Sequence, residues 1–169
     1  MSLNYHYPKI LVFVFFHFFI ATTYSQASLK SKVIGIKDGD TIEVIDKLNN
    51  PTTLRLAEVD CPEKKQPFGM KAKQFTSDAV YLKTITYIVT DIDRYGRSIA
   101  KVYYDNNKYL SAEIIKNGMR WQYKEYSDSK ELAHYEEQAR SKKIGLWIDP
   151  NPIYPSDWRK GIRKVASYN

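Results

Sequence analysis

A chain of 169 residues with 43% hydrophobic content has the length of one domain and enough apolar side chains for one packed core. Its formal charge of +7 favours a polyanionic partner such as nucleic acid, although a basic surface that serves only solubility would give the same sum. One cysteine excludes an internal disulfide, and with His6 and His17 near the N-terminus only His134 remains to the rest of the chain, so Ser-His-Asp, Cys-His and Cys/His zinc chemistry lack their parts and any metal must be held by oxygen, as calcium or magnesium is.

Residues 1–27 do not read as part of the fold. Lys9 precedes an apolar run, Ile10 to Ala21, broken only by His17. The run is too short to span a bilayer comfortably and fits the h-region of a signal peptide, with Ser25-Gln26-Ala27 offering small residues for cleavage. The expectation is a secreted or periplasmic protein starting near Ser28, with 25 basic and 19 acidic residues and no stable membrane association. A retained N-terminal anchor is the alternative.

Val33–Ile36 and Thr41–Ile45 are β-rich runs on either side of an Asp38-Gly39 turn. Leu48 to Pro51 marks a second turn and Thr52 to Leu56 a third strand. Ala72, Phe75, Ala79 and Leu82 fall at helical spacing, which predicts a helix over 69–82 with those residues inward. Thr84–Val89 and Ser98–Tyr104 are further strands, joined through Tyr95-Gly96, and Asp105-Asn106-Asn107 is another turn. Leu110–Lys116 is a short helix stopped at Asn117-Gly118. Asp128 and Glu131 resemble a capping box that opens a helix to about Lys143, with Leu132, Tyr135 and Ala139 inward. Residues 28–148 then form one domain, and 149–169 a tail, Pro-rich and then basic. Five strands with a helix after the third suit an α+β fold built on a five-stranded OB-type barrel with about three α-helices, while the pattern alone leaves other α+β arrangements open.

Three short segments concentrate charge at strand ends: Asp38-Gly39-Asp40-Thr41, the run from Leu54 to Glu63 (LRLAEVDCPE), and Asp93-Arg94-Tyr95-Gly96-Arg97. Pro62 biases Cys61 toward an extended conformation, so Asp60 and Glu63 sit where a strand gives way to a stiff loop. Each segment has an ordinary reading, since Asp38-Gly39-Asp40 alone would be only a hairpin turn. Asp91 to Gly96 could be taken for a calcium loop, but Tyr95 occupies a ligand position and Val102 stands where the bidentate Glu belongs.

In their order and spacing the three segments resemble those of the staphylococcal nuclease (thermonuclease) family, with similarity from about Lys32 to Trp158. The resemblance implies an OB-type barrel and calcium-dependent hydrolysis of phosphodiester bonds in DNA and RNA, with 3′-phosphate products and a monomeric enzyme. It implies Asp40 and Asp60 as metal ligands, joined by the backbone carbonyl of Cys61 where the family's namesake has a threonine. Glu63 matches the family's general base or water-organising glutamate. Arg55 and Arg97 match the arginines that clamp the phosphate. Arg94 and Tyr95 match positions near a terminal phosphate, and Tyr123, with Tyr126, falls where a ring could stack on a base. Two departures stand out: a thiol at Cys61, which could attract a softer metal or oxidise, and a Glu63–Gly69 loop shorter than the namesake's. The rival reading is a non-catalytic OB module that only binds nucleic acid; it has no need of Asp40, Arg55, Asp60, Glu63 and Arg97 together. A third reading, an envelope protein using its basic tail structurally, explains none of them.

Overall fold

Apolar residues at alternate positions drive the first half of the chain into strands. The computed structural model describes residues 27–163. Strands β1 (Leu29–Asp38), β2 (Thr41–Ile45) and β3 (Pro51–Leu56) form an antiparallel meander. A short β4 (Val59–Asp60) and helix α1 (Gly69–Val80) follow, then β5 (Thr84–Ile92) and β6 (Ser98–Tyr104). β1 also pairs with β5, β5 with β6, and β3 returns to pair in parallel with β6, so the five long strands close into a barrel. The closing register sets Leu54 against Ser98, Arg55 against Ile99 and Leu56 against Ala100.

The barrel is filled by Val33, Ile42, Val44, Leu54, Leu56, Ile85 and Val102, none more than 1% exposed. Burying one such Leu or Ile contributes about 1.5–3 kcal/mol relative to leaving it in water. β7 (Lys108–Tyr109) leads into α2 (Leu110–Lys116), which carries Leu110, Ile114 and Ile115 into the same core. β8 (Trp121–Gln122) pairs with β4, and α3 (Lys130–Ser141) packs on α2. A second cluster gathers Trp121, Ala139, Leu146 and Trp147 with Phe68, Ile144 and Tyr154 around it. It seats a 3₁₀ turn (Gly145–Ile148) and α4 (Pro155–Arg159) beside the β4–β8 ladder. Gly118 stops α2 at φ +61°, and a Cβ there would lie 2.1 Å from the carbonyl oxygen of Ile144.

The observed elements correct several boundaries. β1 begins at Leu29, because the polar stretch Leu29–Lys32 gains its order from pairing with β5 and not from an apolar pattern of its own. α1 ends at Val80: Leu82 takes φ +61°, is 56% exposed and donates its N–H to Val33 O, so it turns the chain into β5 and does not face the core. The inward face of α1 is Ala72, Thr76 and Val80, with Phe75 and Ala79 partly buried. The cap of α3 is Ser129, whose Oγ accepts from the N–H of Leu132, and not Asp128; Glu131 instead accepts from the Tyr135 hydroxyl. α3 ends at Ser141, two residues short of Lys143, which is left-handed at φ +52°. Leu132 and Ala139 are buried as the spacing predicts. The Ile10–Ala21 run and the end of the tail lie outside the described residues. Among the described residues no helix is long and apolar enough to cross a membrane.

Candidate active site

The β2–β3 register places Thr41 opposite Arg55, which carries Asp40, one residue earlier, up to the Arg55 side chain. Arg55 Nη1 lies 3.1 Å from Asp40 Oδ2, and its Nη2 lies 4.0 Å from Asp60 Oδ1. Both carboxylates are buried, Asp40 at 6% and Asp60 at 2% exposure. The Thr41 hydroxyl donates to Asp40 Oδ1 at 2.9 Å, and the Leu56 N–H donates to the Asp40 carbonyl at 2.8 Å. Two anions are thus taken out of water beside the Arg55 guanidinium, with Arg159 also 4.0 Å from Asp60, an arrangement sustained only by pairing.

Burial pushes the Asp60 carboxyl up to about 6, against the pull of Arg159 and Arg55, with Asp40 and Glu63 adding repulsion. The native state therefore holds its proton where the unfolded chain, near 3.8, has released it. Across that window the unfolded state binds fewer protons, so stability falls as pH rises from about 4 to 6 and the deficit persists above it. Asp60→Asn is accordingly expected to raise the melting midpoint of the metal-free protein at pH 7–8, by roughly 2 kcal/mol in stability. The gain should shrink on acidification toward pH 4, which thermal melts across pH will show; a uniform loss of stability would contradict it.

Arg97 reaches the site from across the barrel seam. Its Nε donates to Asp93 Oδ2 at 2.6 Å, and its Nη1 donates to the Thr41 hydroxyl at 3.4 Å. Desolvation works to raise the Asp93 carboxyl, but hydrogen bonds from the Arg97 and Tyr95 N–H groups and the Arg97 side chain outweigh it and lower the value. Arg94 is exposed at the rim with its guanidinium 4.9 Å from the Tyr95 ring centre, and Tyr95 is 69% exposed. Tyr123 is half-buried with its ring 4.7 Å from that of Tyr126. Glu63 sits on the loop after β4, where its N–H donates to Gln66 Oε1 at 3.0 Å.

Asp40, Arg55, Asp60, Cys61, Glu63, Arg94, Tyr95, Arg97 and Tyr123, every residue singled out from the sequence, line one open cleft of about 900 Å³. Arg159 also lines it and was missed. It lies in the segment read as a tail, and its Nη1 stands 2.6 Å from Glu63 Oε1 and 4.0 Å from Asp60 Oδ1. No local pattern announces it. Glu58 was missed as well: held at φ +67°, its carboxylate accepts from Tyr109 and Ser127 and pairs with Lys101 at 3.2 Å.

The Cys61 thiol lies behind the cleft surface. Cys61 is 6% exposed, and burial pushes its thiol up to about 12, against the nearby Arg120. A thiol so placed stays protonated at neutral pH in the metal-free protein. Gly39 does not take the left-handed backbone that a tight hairpin would suggest. It is small because a Cβ there would lie 2.2 Å from Cys61 Sγ. Behind the turn, the fully buried Arg120 donates to the Thr76 hydroxyl at 3.0 Å, which donates to the Gly39 carbonyl at 2.7 Å.

Among the described residues no three His, Cys, Asp or Glu side chains gather into a metal-holding group. The buried side-chain oxygens available to a cation in the cleft are the carboxylates of Asp40 and Asp60, both paired with arginine. Such a donor set fits a hard divalent cation completed by backbone oxygen and water, and does not fit zinc or copper.

Comparison with known proteins places the chain in a family. Residues 53–149 match the profile of the family described as staphylococcal nuclease homologue. An uncharacterized endonuclease of Haemophilus influenzae is 42% identical over 143 residues, covering 85% of this chain and 80% of the relative. A micrococcal nuclease of Shigella flexneri is 32% identical over 159 residues, covering 88% and 90%. A staphylococcal-like nuclease of Arabidopsis thaliana is 38% identical over 110 residues, covering 65% of this chain and 34% of that protein. With the closed five-stranded barrel and its helices, these similarities establish that the chain belongs to the staphylococcal nuclease homologue family.

Proposed function

We propose that this protein is a secreted, monomeric, calcium-dependent nuclease that hydrolyses phosphodiester bonds of DNA and RNA and leaves 3′-phosphate products. The observation that carries this reading is Arg55 set between the buried Asp40 and Asp60, sharing one cleft with Arg97 and Glu63. Relatives named nuclease and endonuclease support it. A module that only binds nucleic acid would use a basic cleft and its tyrosines, but gains nothing from two desolvated carboxylates beside a half-exposed one.

Phosphodiester hydrolysis requires that a water lose a proton near an anion and that charge on the phosphoryl oxygens be stabilised. In this reading Arg55 and Arg97 donate to those oxygens, and the planar guanidinium suits two at once. Glu63, at the cleft edge, takes the proton of the attacking water. Asp40, Asp60 and the backbone carbonyl of Cys61 would hold the cation, which when bound supplies Lewis-acid charge beside the phosphoryl group. Arg94 and Tyr95 at the rim meet a terminal phosphate, and Tyr123 stacks on a base.

Plasmid digestion by the chain from Ser28 onward tests the reading. Calcium should activate cleavage and excess chelator abolish it, because the cation's side-chain ligands are both hard carboxylates. Undiminished cleavage in chelator would remove the metal assignment. Separately, affinity for single-stranded DNA should fall steeply between low and physiological salt, as counterions released from phosphates drive binding. A flat salt response would argue against phosphate contacts by the arginines of the cleft.

A further inference from the structure

We propose that Arg159, at the end of a C-terminal strap running from Ile153, is a positioning residue that orients the Glu63 carboxylate; this rests on the reading of Glu63 as acceptor of the water's proton. Glu63 stands on a loop, outside any helix or strand, with its side chain 40% exposed. The strap holds it through two separate links. Arg159 Nη1 donates to Glu63 Oε1 at 2.6 Å, a short, charge-assisted bond to one oxygen. Among the described residues no group donates to Oε2, which is left for the water. At the backbone, the Glu63 N–H donates to Gln66 Oε1 at 3.0 Å, and the same amide donates through Nε2 to the Ile153 carbonyl at 2.5 Å.

The strap is itself moored to the floor of the site. The Tyr154 hydroxyl donates to the Gln122 carbonyl at 3.0 Å, and the Tyr154 ring lies 5.1 Å from that of Trp121. Trp121 is the residue that pairs with Asp60 across the β4–β8 ladder, and Pro155 at the start of α4 is buried. One rigid unit thus carries Asp60 on its floor and the Glu63 clamp on its edge. A half-exposed ion pair of this kind contributes little to stability. Its effect belongs in where Glu63 points, and misplacing a reacting group by about an ångström costs on the order of a hundredfold in rate.

The test is steady-state hydrolysis of single-stranded DNA with calcium, with a melting curve for each variant. Arg159→Gln should lower kcat roughly tenfold or more, with KM and the melting midpoint little changed. Arg159→Lys, which can still reach one oxygen, should recover part of the loss. In a Glu63→Gln chain, Arg159→Gln should cost far less than in the wild type, because the group it orients no longer takes a proton and only its longer contact with Asp60 is lost; an undiminished cost would overturn the proposal. Lys160→Gln, removing a charge from the residue after α4, should leave kcat unchanged. A rise in KM alone would make Arg159 a phosphate contact, and a rise in kcat would make it an inhibitory latch; either overturns the proposal, as does an equal loss in Lys160→Gln. A wild-type chain without hydrolysis would remove the nuclease reading and this proposal together, whereas an active wild type with an unaffected Arg159→Gln would remove this proposal alone.

Discussion

Arg55→Lys and Arg97→Lys are each expected to lower turnover on the order of a hundredfold or more while substrate affinity changes far less. Lysine keeps the charge that attracts phosphate but loses the fork that meets two oxygens as charge develops on them. The two variants should part company in stability. Arg97 is half-buried and pairs with Asp93 at 2.6 Å on a turn, so its replacement leaves the core untouched. Arg55 stands between two buried carboxylates, and an ammonium centred on one of them leaves the other undercompensated. Arg55→Lys should therefore also lower the melting midpoint at neutral pH. Turnover, affinity and melting measured side by side decide the matter: activity that falls only in step with folding makes these residues structural. Unchanged activity in both variants would leave the binding-module reading as the better one.

Gly39→Ala should damage the site although it adds only one methyl group. The new methyl would lie 2.2 Å from Cys61 Sγ, 3.2 Å from Ala72 Cβ and 3.3 Å from Arg120 Nη2. Overpacking of this kind costs about 1–3 kcal/mol. Activity should fall further than stability, because the turn that must yield carries Asp40 and the thiol that must yield follows Asp60. Cys61→Ala in the same chain removes the sulfur and should restore both melting and hydrolysis. A Gly39→Ala protein that melts and cleaves like the wild type would show that the turn and the thiol do not meet.

What was readable in advance was what is local. Asp38 to Thr41, Leu54 to Glu63 and Asp93 to Arg97 each hold their chemistry within ten residues, and strand periodicity delivers them to one end of a barrel. Arg159 was not readable, because its contact with Glu63 spans 96 residues and its own segment has no periodic pattern that would place it. Arg120 carries no local signal of burial, yet it is fully buried beneath the Asp40 turn. β4 and β8, two residues each, are too short for any periodicity and exist only as each other's partners. The cap of α3 slipped by one because Asp128 and Ser129 are both good capping residues, and packing of Leu132 decides between them.

The parallel seam between β3 and β6 bears on the order in which this protein becomes active. It joins Leu54 to Ser98 and, with the still longer-range pairing of β1 with β5, closes the barrel; such non-local contacts are the slow ones in folding. Asp40, Arg55 and Asp60 come together through the β2–β3 hairpin and the turn after it, but Arg97 joins them only once the seam zips. A refolding chain should regain the β-sheet signal of its hairpins before it regains any capacity to cut, so that hydrolysis times the closing of this seam.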